Sequence, residues 1–94
     1  MENIQEISKL VKNLHTEKET TDFFKELLTE SEIETLSKRW RILSMLKDGT
    51  TQRDIAKELQ VSLCKVTRGA KILKNKNSIL SKYLIKENNN ANCN

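Results

Sequence analysis

Apolar positions recur along this chain with a helical spacing almost throughout. Ile4, Ile7, Leu10, Val11 and Leu14 follow the i, i+3, i+4, i+7 rule, which predicts an amphipathic helix over residues 2–14. A second helix starts at Thr16, where Thr16-x-x-Glu19 reads as a capping box, or at Thr20–Thr21, and buries Phe23, Phe24, Leu27 and Leu28. Thr29-x-x-Glu32 is a further capping box, and Glu30, Glu32 and Glu34 load the next first turn with negative charge, which the helix dipole favours. Ile33, Leu36, Trp40, Leu43 and Leu46 form one apolar stripe on that third helix, and Gly49 ends it.

Two short helices follow. Thr51 caps the first, with Asp54 at N3 and Ile55, Ala56 and Leu59 inside. The chain turns at Gln60–Val61, and Ser62 caps a fifth helix from Leu63 to Lys74. A sixth runs from Asn77 or Ser78 to Lys86 with Ile79, Leu80, Tyr83 and Leu84 inside. No segment has strand periodicity, so the fold class is all-α with six helices. One domain spans residues 1–87, and the Asn-rich tail 88–94 is expected to be disordered.

Residues 51–74 hold the strongest local pattern. Two short helices with a tight corner need a small residue where they touch, and Ala56 stands there. Ile55, Leu59, Val61 and Val66 supply apolar cover, which leaves Leu63, Cys64, Lys65, Thr67 and Arg68 outward. This is a helix-turn-helix arrangement, whose second helix enters a DNA major groove N-terminus first. Gln60 stands where glycine is usual, and a left-handed glutamine costs on the order of 1 kcal/mol. The alternative is an ordinary helical hairpin in a core.

Charge sharpens the picture. Residues 1–34 carry four lysines against nine carboxylates, a net −5, while residues 35–76 carry eleven Lys/Arg against three carboxylates, a net +8. A basic middle beside an acidic start suits a polyanion on one face, although a solvated surface of mixed sign gives the same count. Hydrophobic residues are 36% of the 94 and aromatic residues 4%, a thin core for a lone monomer. Proline is absent and glycines number two, which excludes a Gly-rich phosphate loop. Cys64, Cys93 and a single histidine, His15, make neither a disulfide framework nor a metal site. One histidine and no nucleophile–base pair leave no catalytic residues to name. No apolar run approaches a membrane span, the first residues do not read as a secretory signal, and the expected location is the cytoplasm.

Residues 27–74 resemble the tryptophan repressor family of small dimeric bacterial regulators. The resemblance rests on Leu28-Thr29, Arg39-x-Arg41-Ile42, Leu46-Lys47-Asp48-Gly49, Thr51-Gln52-Arg53-Asp54-Ile55 and Val66-Thr67-Arg68-Gly69 with Leu73-Lys74 behind. It implies an intertwined homodimer in which the N-terminal helices and the last helix interlock with a second subunit. It also implies that L-tryptophan acts as corepressor and that the dimer represses by binding near-palindromic operator DNA. No other cofactor and no membrane are implied.

Within that resemblance, Arg39 and Arg68 match the two arginines that sandwich the indole. Thr29 assists Arg68 at the ligand carboxylate, and carbonyls around Glu26 and Leu28 hold the amino group. Gly69 leaves room for the ring. Ile72 replaces a serine that helps hold the ligand amine, which points toward weaker tryptophan binding or a related indole. Arg53, Leu63, Cys64 and Lys65 are assigned to bases, and Gln52, Thr67, Lys71 and Lys74 to phosphates. Three alternatives stay open: a solvated Arg53, a buried Cys64, and an Arg39 paired with Glu32 or Asp48. Two rival readings also stay open: a DNA binder of this architecture without tryptophan, and an interaction protein.

Overall fold

The computed structural model describes residues 2–84, all of whose regular structure is helical. The expected end of the last helix at Lys86 and the expected tail 88–94 lie outside the described residues. The helices are α1 (Glu2–Lys12), α2 (Glu17–Leu27), α3 (Glu30–Lys47), α4 (Gln52–Leu59) and α5 (Leu63–Lys74). A further helical segment, α6, covers residues 79–84. The chain divides into two compact units, one ending at Thr35 and one beginning at Leu36.

Polar caps set most of these ends. α1 stops two residues before the expected Leu14. There the amides of Asn13 and Leu14 turn to carbonyls three residues back, those of Leu10 and Val11, at 3.0 and 3.1 Å. Thr16, not Thr20 or Thr21, caps α2: its Oγ1 accepts from the Glu19 amide at 3.0 Å. The Thr29 box is reciprocal. The Glu32 amide donates to Thr29 Oγ1 at 3.1 Å, and the Thr29 amide donates to Glu32 Oε1 at 2.9 Å. Gly49, at φ 92°, closes α3 in the left-handed region that suits glycine.

In the first unit, neither α1 nor α2 buries a side chain. Phe24 and Leu27, expected inside, are 38% and 54% exposed, while Phe23 and Leu28 are half-buried. Their apolar stripe is real, but two 11-residue helices are too short to enclose it.

The second unit holds the core. Ile42, Ile55 and Val66 form its centre, with Met45, Leu46, Ala56, Leu59 and Val61 packed around them. This corrects the reading of α3. Leu43 of the expected stripe is buried, but Ile42 is buried beside it, while Leu36 and Trp40 remain 45% and 43% exposed. The reason lies on α5. A Cβ at Gly69 would stand 2.9 Å from Ile42 Cγ2, so α5 presses its backbone onto the Ile42 side of α3.

α6 is also corrected. Leu84 is buried and Leu80 half-buried as expected, but Ile79 and Tyr83 are 80% and 57% exposed. The helix docks through its Ser81–Leu84 edge instead. Ser78 Oγ donates to the Ile72 carbonyl (2.9 Å) and accepts from the Ser81 amide (2.9 Å), so Ser78 is the α6 cap. Buried Ser81 donates its hydroxyl to the Leu73 carbonyl at 3.0 Å.

Candidate ligand cleft and nucleic-acid interface

The corner between α4 and α5 is built from local rules. Thr51 and Ser62 cap the two helices, accepting from the amides of Asp54 and Lys65. Gln60 takes the left-handed conformation at φ 55° and ψ 49°, as its place in the turn requires. The Val61 amide then closes the turn onto the Ala56 carbonyl at 3.0 Å. Across the corner Thr67 Oγ1 donates to Gln52 Oε1 at 2.9 Å. Both residues were expected to face phosphates; both are half-buried and hold each other. The bond engages the carbonyl end of Gln52 and leaves its amide nitrogen as donor.

The tip of α5 is open. Leu63, Cys64 and Lys65 are exposed, as are Arg53 on α4 and Lys71 and Lys74 further along α5. The alternative of a buried Cys64 is thereby set aside: its thiol is free and exposed. The first turn of α5 carries no acidic residue, so nothing on it offsets the positive end of the helix dipole.

Behind this tip lies a cleft of about 510 Å³. α3 lines it with Leu36, Arg39, Trp40, Ile42 and Leu43; α5 adds Lys65, Arg68, Gly69 and Ile72; Leu80 closes the side. Arg39 and Arg68 come from different helices onto one hollow. Apart from Lys65, the remaining wall residues are apolar, so a planar aromatic body fits the chemistry of the lining, and guanidinium groups are suited to stacking on such a body.

Ile72 lines the cleft as expected. Gly69 does too, but the space its missing Cβ leaves is filled by Ile42. The glycine therefore also serves the α3–α5 contact. Glu26, Leu28 and Thr29 belong to the first unit. Leu28 caps α2 through its amide on the Phe24 carbonyl, and Thr29 caps α3. Glu32, one alternative partner for Arg39, has its carboxylate on the Thr29 amide.

Sequence reasoning missed Trp40, Leu36 and Leu80 as cleft residues and gave Lys65 to DNA alone. The signal was present. Leu36, Arg39, Trp40 and Leu43 share one helical face, and Lys65 precedes Arg68 by three, hence one turn.

The comparisons with known proteins agree with this architecture. The chain matches the family described as Trp repressor protein over residues 2–88. It is 34% identical over 79 residues to a Trp operon repressor homolog of Chlamydia trachomatis serovar D, covering 83% of this chain and 84% of the relative. With a Trp operon repressor homolog of Xylella fastidiosa strain M23 it shares 44% identity over 52 residues, 54% of this chain and 56% of the relative. No solved structure matches at a significant level. The match defines a regulatory, non-enzymatic class of protein. The chain belongs to the Trp repressor family. No described helix is long and apolar enough to cross a membrane.

Proposed function

We propose that this chain is a homodimeric transcription repressor whose grip on operator DNA is set by L-tryptophan, or a close indole relative, bound between Arg39 and Arg68. The observation that carries the reading is the convergence of those two arginines on an apolar cleft directly behind the exposed tip of α5. α4 and α5 act as the helix-turn-helix. A ligand wedged against α5 biases its tilt, and the two tips of a dimer reach successive major grooves only when about 34 Å apart. A ligand that favours that spacing shifts the population toward the DNA-binding form.

Dimerisation is supported by what stays exposed. Ile4 and Leu10 on α1, Phe24 and Leu27 on α2, and Ile79 and Tyr83 on α6 present apolar surface to solvent. These are the elements that the family resemblance pairs with a second subunit, and burial there would supply the core that a single chain lacks.

The test is binding of the full chain to near-palindromic duplex DNA across a salt series, with and without L-tryptophan. The reading expects a steep salt slope and tighter binding with the amino acid, and Arg68→Ala loses the dependence on the amino acid. A shallow slope, or binding indifferent to every indole tried, rejects it. Sedimentation equilibrium reports the dimer.

A further inference from the structure

Leu63 opens α5 with its side chain 46% exposed. Among the described residues it is the one large exposed apolar side chain on α4 or α5. Ile55 and Val66 sit in the core, with Ala56, Leu59 and Val61 packed against it, and Ile72 lines the cleft. Leu63 belongs to neither group, so neither the core nor the cleft accounts for an apolar residue there.

Its surroundings point to a partner. Leu63, Thr67, Lys71 and Lys74 recur at i, i+4, i+8 and i+11, along one face of the helix. Lys65 and Arg68 turn instead to the cleft. Lys71 and Lys74 are exposed, as are Arg53 and Lys57 on α4, so the apolar side chain stands in a basic surface that suits a polyanion. Hydrogen-bonding groups are scarce beside it. The Ser62 hydroxyl oxygen caps the helix on the Lys65 amide, and Cys64 offers a weak thiol donor.

In a DNA major groove the bases present one apolar feature, the C5 methyl group of thymine. Leucine pressed against the amino group of cytosine or adenine would strip water from a donor and return no acceptor. Against a methyl group, both surfaces leave water with nothing polar lost.

We propose that Leu63 reads the methyl group of a thymine in each half-site, by direct apolar contact. The inference rests on α4 and α5 being the helix-turn-helix, and it names a chemical feature of the bases they read. Leu63 is then a specificity-determining residue, and the lysines behind it on the same face hold the backbone.

The experiment first selects duplexes with the full chain, with and without L-tryptophan, from a random pool of about 20 base pairs, long enough for two half-sites. The tightest duplex is then remade with uracil for thymine at one position at a time, symmetrically in both half-sites, and binding is measured by fluorescence anisotropy. At one thymine of the half-site, uracil should weaken the wild type about tenfold, roughly three- to fourfold per half-site. Leu63→Ala should shrink that ratio to about twofold or less, and Leu63→Met, still apolar and long, should keep most of it. Lys74→Ala should weaken the thymine and uracil duplexes alike, because a phosphate contact does not sense the methyl. A selected site without thymine, or one tolerant of uracil throughout, overturns the methyl contact and leaves the helix-turn-helix standing. A uracil effect that persists undiminished in Leu63→Ala assigns the methyl to duplex shape and removes Leu63. If no duplex is selected in either condition, the helix-turn-helix reading falls and the inference with it.

Discussion

Gly69 of α5 lies against Ile42 of α3 so closely that a methyl group at Gly69 would sit 2.9 Å from Ile42 Cγ2. It would also meet Leu46 and Leu43 at 3.4 and 3.5 Å. The glycine next to Arg68 thus sets how near α5 comes to α3, and with it the width of the cleft between Arg39 and Arg68. Gly69→Ala should destabilise the protein by about 1–3 kcal/mol through overpacking. In an Ile42→Ala background the added cost should fall below about 1 kcal/mol. A double-mutant cycle by urea unfolding measures the coupling, and additive effects would show that the two do not meet.

The Thr67–Gln52 bond ties the two halves of the corner. Thr67→Val keeps the shape and removes the donor, so it should cost about 0.5–1.5 kcal/mol. It should also weaken DNA binding at all sequences alike, since no base contact is lost. A change in sequence preference, read by competition with mismatched duplexes, would contradict this.

Gln60 is the one described non-glycine residue with positive φ. Gln60→Gly should raise stability by about 0.5–1 kcal/mol, because the left-handed conformation then carries no Cβ penalty. Thermal unfolding followed by circular dichroism reads the shift. A lower midpoint would mean that the Gln60 side chain itself contributes contacts.

Ser81 is 1% exposed, and its hydroxyl satisfies the Leu73 carbonyl. Ser81→Ala leaves that carbonyl short of a partner and should cost about 1–3 kcal/mol. Hydrogen exchange should show the loss concentrated at the end of α5 and in α6. Uniform loss across the second unit would argue against a local role.

On DNA, Arg53 and Lys74 should behave differently. Arg53→Ala should lose about 1–3 kcal/mol at the preferred site and relax choice at one base pair. Lys74→Ala should weaken binding evenly and lower the salt slope by about 1. Binding measured on a panel of single-base variants separates the two. The same behaviour from both would reassign Arg53 to the phosphates.

Much of this was legible before any coordinates. Caps are local chemistry, so Thr16, Thr29, Thr51 and Ser62 announced four helix starts, and the span of α5 follows from Ser62 and the end of its apolar pattern. The left-handed Gln60 followed from its place in the turn. The pairing of Arg39 with Arg68 came from family resemblance, since 29 residues separate them and no periodicity links two helices. What stayed hidden depends on how helices meet. α3 has apolar residues on more than one face, and only the approach of α5 decides that Ile42 goes to the core while Leu36 and Trp40 go to the cleft. On α6, the seryl contacts decided which edge docks, and a hydrophobic count assigns Ser81 to the surface.

The two hydroxyls that tie α6 to the carbonyls at the end of α5 make those helices a single lever. In the proposed dimer, a pull on the last turn from a subunit settling onto Tyr83 would reach the rod bearing Arg68 through Ser78 and Ser81. Effector sensing and subunit assembly would then report through the same pair of oxygen atoms.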